Sequence, residues 1–152
     1  MKKIFTTTLA IALIATGLTF TSCGNNGNGL TNGKYTTKYV DEHLPGGYWV
    51  HEEIDNKSGE LTAWYIIQFI GQEKLYSATI YAKYGEDLTL ENFNSKKEGG
   101  TYNGKGYVFD EKTQILNTIS IYGKLIKLTA TELIIEDEDW GTMKFTKYQT
   151  LP

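Results

Sequence analysis

Cysteine is almost missing from this chain. Cys23 is the only one, so no disulfide can form within the molecule. With two histidines, His43 and His51, the supply of soft and borderline ligands is too thin to favour a transition-metal site. Proline is equally scarce: Pro45 and Pro152 both lie outside the segments that read as strands, where proline would remove a ladder hydrogen bond. A formal net charge of −3 with no basic patch argues against nucleic acid as a partner. Also absent are a glycine-rich phosphate loop, a Gly-x-Ser-x-Gly elbow and a His-Glu-x-x-His pair, so no known catalytic motif is spelled out.

One apolar stretch does occur, at the very start. Lys2 and Lys3 precede Ile4 to Phe20, after which come the small residues Thr21 and Ser22. Basic, then apolar, then small is the order of an export signal with its cleavage site. A membrane-spanning helix needs about 20 strongly apolar residues, and this run is shorter and diluted by Thr6, Thr7, Thr8, Thr16 and Thr19. Residues 1–22 are therefore expected to be a signal peptide.

The lone cysteine gives the signal its type. Thr21-Ser22-Cys23-Gly24 resembles the lipobox of bacterial lipoproteins, with Phe20 standing where leucine is usual. The resemblance implies cleavage before Cys23, a diacylglyceryl group on its sulfur, acylation of palmitate type and attachment to membrane lipid without spanning. The alternative is a secreted protein with an incidental thiol. Gly24 to Gly33 is rich in glycine and asparagine and reads as a flexible tether. Thr36 to Pro45 reads as a second, polar-aromatic spacer, so the lipidated cysteine and tether together take up 23–43. Residues 24–29 carry no acidic run, which favours an outer-membrane location facing the periplasm over export to the cell surface.

What remains suits one domain at 44–150. Eleven tyrosines and three tryptophans favour strands over helices. Alternating or β-rich runs fall at 47–54, 62–70, 74–84, 100–103, 105–110, 113–122, 124–129, 131–137 and 142–149. Between them lie turn-forming groups such as Asp55 to Gly59, Gly71 to Glu73, Asn103-Gly104 and Asp110 to Lys112. Consecutive hairpins predict an all-β fold, a single antiparallel up-and-down β-barrel of about eight strands. Residues 85–99 are least strand-like and predict a short helix or a long loop over one barrel end. In 74–84, alternation offers Tyr76, Ala78, Ile80, Ala82 and Tyr84 as the core face, beside Tyr65, Ile67 and Phe69 of the preceding strand.

The order of several short motifs is similar to that of the lipocalin-like small lipoproteins of Bacteroidetes, a calycin-type group. These are Gly47-Tyr48-Trp49, Ile66-Ile67-Gln68-Phe69, Gly100-Thr101-Tyr102, Leu128 to Ile135, and Phe145-Thr146-Lys147-Tyr148, which together cover about 44–150. Val50-His51-Glu52-Glu53 departs from the apolar continuation usual after Gly-x-Trp. The resemblance implies a tryptophan across the closed end of a barrel and a small apolar or amphipathic ligand in its mouth.

Trp49, Tyr65, Phe69, Tyr76, Tyr84 and Tyr102, with Trp64 and Trp140, are the candidate lining of such a pocket, with tyrosine hydroxyls as its polar groups. The plainer reading is a filled barrel core. His51 and Glu53 share a strand face, with Glu52 opposite, yet no nucleophile accompanies them, so a non-catalytic protein is expected. Glu136-Asp137-Glu138-Asp139 lacks the interleaved glycine of a calcium loop and reads as a hairpin tip that keeps an edge soluble. The leading expectation is a membrane-anchored barrel binding a small hydrophobic or aromatic molecule. The alternative is a module that docks an envelope protein or glycan through outward aromatics such as Tyr39, Tyr81 or Trp140.

Overall fold

The structure, a computed structural model, describes residues 30–31 and 33–152. The expected signal peptide at 1–22, the expected lipid attachment at Cys23 and the expected tether up to residue 29 lie outside the described part.

Ordered structure begins earlier than the composition suggests. A small hairpin joins β1 (Leu30–Thr31) to β2 (Lys34–Tyr35), and α1 follows at Thr37–His43. The Thr36 hydroxyl caps that helix by accepting from the Tyr39 backbone N–H at 3.2 Å. Val40 and Leu44, four residues apart on one face, are fully buried. The Gln114 side chain both accepts from Tyr35 N–H at 2.7 Å and donates to Tyr35 C=O at 3.1 Å, replacing a missing strand partner. Residues 34–43, expected to be tether, are thus part of the folded unit. Two turns of helix are too short to display a periodicity, and Val40 and Leu44, with Tyr39 packed beside them, dock the helix on the core.

Nine strands form one antiparallel sheet: β3 (Tyr48–Ile54), β4 (Leu61–Ile70), β5 (Lys74–Ile80), β6 (Glu98–Gly100), β7 (Val108–Asp110), β8 (Ile115–Asn117), β9 (Tyr122–Leu128), β10 (Glu132–Asp137) and β11 (Gly141–Tyr148). Their order is β6-β5-β4-β3-β11-β10-β9-β8-β7. Every neighbour is also a neighbour in sequence except β3 and β11, which bring the two ends of the domain together mid-sheet. The sheet curls into a half-barrel of nine strands rather than eight. Register shifts at Glu53/Ile54 and Ile134/Ile135 mark irregularities of the kind that strengthen coiling. No ladder joins β6 to β7. The 101–107 segment crosses that seam, and Gly106 N–H donates to Gln72 C=O at 2.8 Å. A Cβ on Gly106 would lie 2.7 Å from the Lys74 carbonyl group, so only glycine fits this crossing.

Two cores result. Trp49, Ile67, Phe69, Leu75, Leu133 and Phe145 fill the concave side. Val50, Ile66, Ala78, Ile80, Phe93 and Leu151 form a second core on the outer side, beneath α2 (Leu90–Lys96). Residues 85–99 therefore hold a helix, and it covers a sheet face instead of a barrel end. The Thr89 hydroxyl caps it, and Leu90 N–H donates to the Pro152 carbonyl at 2.8 Å, clasping the C-terminus to the helix start.

Several strand readings change: the 100–103 and 105–110 runs give way to β6 at Glu98–Gly100, an isolated bridge between Tyr102 and Lys105, and β7 at Val108–Asp110. The 74–84 strand stops at Ile80, and Ala82–Tyr84 is a 3-10 turn. The 113–122 run is broken by a turn in which the Thr118 hydroxyl accepts from Ser120 and Ile121 N–H. Register also splits the expected β5 core face. Tyr65, Ile67 and Phe69 pair with Thr79, Ser77 and Leu75, and paired residues share a face. Leu75, Ser77 and Thr79 thus face inward, whereas Tyr76, Ala78 and Ile80 belong to the outer core.

Candidate functional site

The half-barrel has a filled end and an open end. At the filled end Trp49 is fully buried, its indole N–H donating to the Leu44 carbonyl at 2.8 Å. Phe69 stacks edge-on against Tyr107 at 5.5 Å, and the Tyr107 hydroxyl donates to the Asp41 carboxylate at 2.8 Å. Burial and that neighbouring carboxylate push the Tyr107 phenol well above its usual range. Trp49 and Phe69 leave no room for a ligand there.

At the other end, the inward side chains shrink and turn polar along the same strands. A hollow of about 210 Å³ is lined by Glu53, Tyr65, Thr79, Ser120, Trp140 and Met143. Glu53 ends the inward row of β3, Tyr65 and Thr79 are cross-strand partners, and Met143 is the first large buried side chain of β11. Burial raises the Tyr65 phenol, opposed by hydrogen bonding to Ser120 and Ser77; the charges of Asp137 and Glu53 add to the rise. The hydroxyl thus stays protonated at neutral pH and can donate or accept.

The lid-like rim is set by the hairpin between β10 and β11. Asp137 is buried, and its carboxylate accepts from the backbone N–H groups of Tyr122, Asp139 and Trp140 at 2.9–3.1 Å. Those bonds fix the turn and leave Trp140 71% exposed at the mouth. The acidic run 136–139 is therefore partly a turn lock and partly a solvated rim.

On the opposite flank, a wider trough of about 540 Å³ shares Tyr65 and Thr79 with the hollow and continues to Tyr81, Ser95, Lys96 and Glu98. It exists because β6 pairs with β5 only as far as Ser77, leaving Ala78 to Ile80 without a ladder partner on that side.

Of the eight aromatics expected to line a pocket, Tyr65 and Trp140 line the hollow and the other six do not. Tyr76 lies on the outer face between the Lys74 and Lys97 ammonium groups, 4.8 and 5.1 Å from its ring, and hydrogen bonding with Lys74 lowers its phenol. Tyr84 is 73% exposed beyond the end of β5. Tyr102 sits in the seam crossing, its backbone paired with Lys105. Tyr39 is not an outward aromatic either, since its hydroxyl donates to the Leu128 carbonyl and its ring stacks on a half-buried His43 at 3.8 Å. His51 Nδ1 lies 3.0 Å from the Lys144 carbonyl, and its ring is 5.4 Å from Phe145.

Compared with known proteins, the chain matches no family model, no curated protein and no solved structure. The site must be argued from its own chemistry. Thr79, Ser120 and Met143 carried no signal in the sequence taken alone, although the register that pairs Thr79 with Tyr65 would have located the first. The arrangement offers an aromatic face, a thioether, several hydroxyls and one carboxylate around a compact hollow, a composition typical of small-molecule sites.

Proposed function

We propose that this chain is a lipid-anchored envelope protein, held to the periplasmic face of the outer membrane through acylated Cys23. Its lipocalin-like half-barrel carries a small hydrophobic or aromatic molecule at the open end, without catalysing a reaction on it. The observation that supports the carrier role is the 210 Å³ hollow beneath Trp140. A cavity of similar size lined by apolar side chains suffices for a single benzene-sized molecule. The export signal and the Thr21-Ser22-Cys23-Gly24 motif support the anchor.

A second reading has its own observation. Trp49, Phe69, Leu75, Leu133 and Phe145 fill most of the concave side, leaving only the mouth free. Such a filled barrel would dock an envelope protein or glycan through exposed aromatics, Trp140 and Tyr81 first.

Native mass spectrometry of the full-length lipoprotein, extracted in mild detergent from its own host, separates these readings. Acyl mass on Cys23 is expected to persist through denaturation, and a second added mass is expected to leave on denaturation. A bare acylated chain that takes up no added aromatic probe would replace the carrier reading with the docking one. Absence of acyl mass would remove the anchor.

A further inference from the structure

The charge around the open end is one-sided. Glu53 is the single charged side chain lining the hollow. The adjoining depression, which shares Ser120 and Trp140 with it, adds Asp137, Glu138 and Asp139 and no cation. Lys96 is the one ammonium group on the neighbouring trough, and it is bound to Glu86 at 2.6 Å. Among the described residues, no ion pair engages the Glu53 carboxylate. Trp140 and Tyr65 bring two aromatic rings to the same hollow, and Met143 adds a polarizable sulfur. A confined, partly desolvated space with one sign of charge concentrates the field acting on a ligand.

From this we infer that the open end takes an organic cation, an ammonium group carrying a compact apolar or aromatic body. The ammonium meets Glu53 and an aromatic ring, and the apolar body fills the space between Trp140 and Met143. An anion would face the acidic rim with no counter-charge. A neutral hydrocarbon would leave the Glu53 carboxylate beside it without a counter-charge. This inference rests on the carrier reading of the same hollow and narrows it to one class of ligand.

The test compares two probes of nearly equal shape, benzyltrimethylammonium and neopentylbenzene, titrated into the full-length protein in detergent and followed by calorimetry, with intrinsic tryptophan fluorescence as a second readout. The cation is expected to bind at least about tenfold more tightly, as ring and carboxylate act together on a partly desolvated ammonium. Its affinity, unlike the neutral probe's, is expected to fall with added salt. Glu53→Gln is expected to abolish most of the preference. Trp140→Ala, at an exposed position where folding is safe, is expected to weaken the cation as well. Equal or tighter binding of neopentylbenzene would overturn the cation inference and leave the carrier reading standing. Binding of neither probe to protein with a native near-ultraviolet circular dichroism spectrum would overturn both. A preference that survives both substitutions would place the cation elsewhere and overturn this assignment.

Discussion

Lys147 joins the docked N-terminal helix to the half-barrel. Its ammonium lies 4.8 Å from the centre of the Trp49 ring and donates to the His43 and Pro45 carbonyls at 2.9 Å each. Those carbonyls belong to the end of α1 and the residues just after it, where helix acceptors run out of backbone partners. Burial lowers the Lys147 pKa, while the carbonyls and the ring face offer the charge partial compensation. Lys147→Met keeps the aliphatic stem over Trp49 and removes the donors. The expected cost is about 1–3 kcal/mol, because two half-buried acceptors lose their partner. Urea denaturation at pH 7 measures it. Unchanged stability would mean that solvent reaches the two carbonyls and the clasp contributes nothing. Tyr65 works differently: its hydroxyl is surrounded by Ser77, Ser120 and nearby carboxylates at the point where the core stops being filled, so it belongs to the site more than to the core.

Among the elements, α2 decides how the sheet is read. It is only seven residues long, too short to be stable alone. It holds because Phe93 is fully buried, edge-on to Tyr48 at 5.2 Å, and because Leu151 of the C-terminus packs into the same outer core. Phe93→Ala should destabilise the protein by about 3–5 kcal/mol. A single unfolding transition with an unchanged m-value is expected, since the outer core shares β3, β4 and β5 with the inner one. A second, earlier transition would show α2 to be an independent flap. The same helix explains what the sequence conceals. The strands at 48–54, 61–70, 132–137 and 141–148 lie within a residue of their expected bounds, because alternation and turn chemistry are local. Asp55 and Asp110, for instance, each accept from backbone N–H groups two and three residues on. Which face of β5 lines the barrel is not local. Leu61–Ile70 is apolar on both sides, and only a covering helix tells inner from outer. The turn at Thr118 was hidden for a related reason, as it uses a hydroxyl instead of glycine, proline or asparagine. Because the site forms where inward rows from β3, β4, β5 and β11 meet an acidic hairpin, aromatic content alone located two of its six lining residues, Tyr65 and Trp140.

At the scale of the whole molecule, the chain closes its mid-sheet gap with its own ends and leaves its seam between β6 and β7, so stability depends on polar contacts spread along the surface as well as on two cores. Several of these involve carboxylates held below their ordinary range. Hydrogen bonds from the backbone at Ser58 and Lys57 lower Asp55, and those at Lys112 and Thr113 lower Asp110. Lys96 lowers Glu86, the Thr37 backbone lowers Glu111, and Lys127 with Lys144 lowers Glu132. A carboxyl group with a depressed folded-state pKa binds a proton more readily when unfolded, so stability falls as protons are added. The stabilising contribution is therefore complete above about pH 4–5 and drains away as pH drops through the unfolded values near 4 and then the lower folded ones. On the alkaline side the sign reverses. Tyr65, Tyr107 and Tyr39 are raised by burial, so the unfolded chain loses those protons first, and these three outweigh Lys147, lowered by burial and acting in the opposite sense, so that stability falls as pH rises beyond about 10. Thermal unfolding followed by circular dichroism from pH 3 to 11 should give a plateau between roughly pH 5 and 9 with a decline on each side. All five lowered carboxylates lie at the surface, so added salt should soften the acid limb, whereas the alkaline limb, set by burial, should hold its shape. An acid limb indifferent to salt would show that the surface pairs do not cause it.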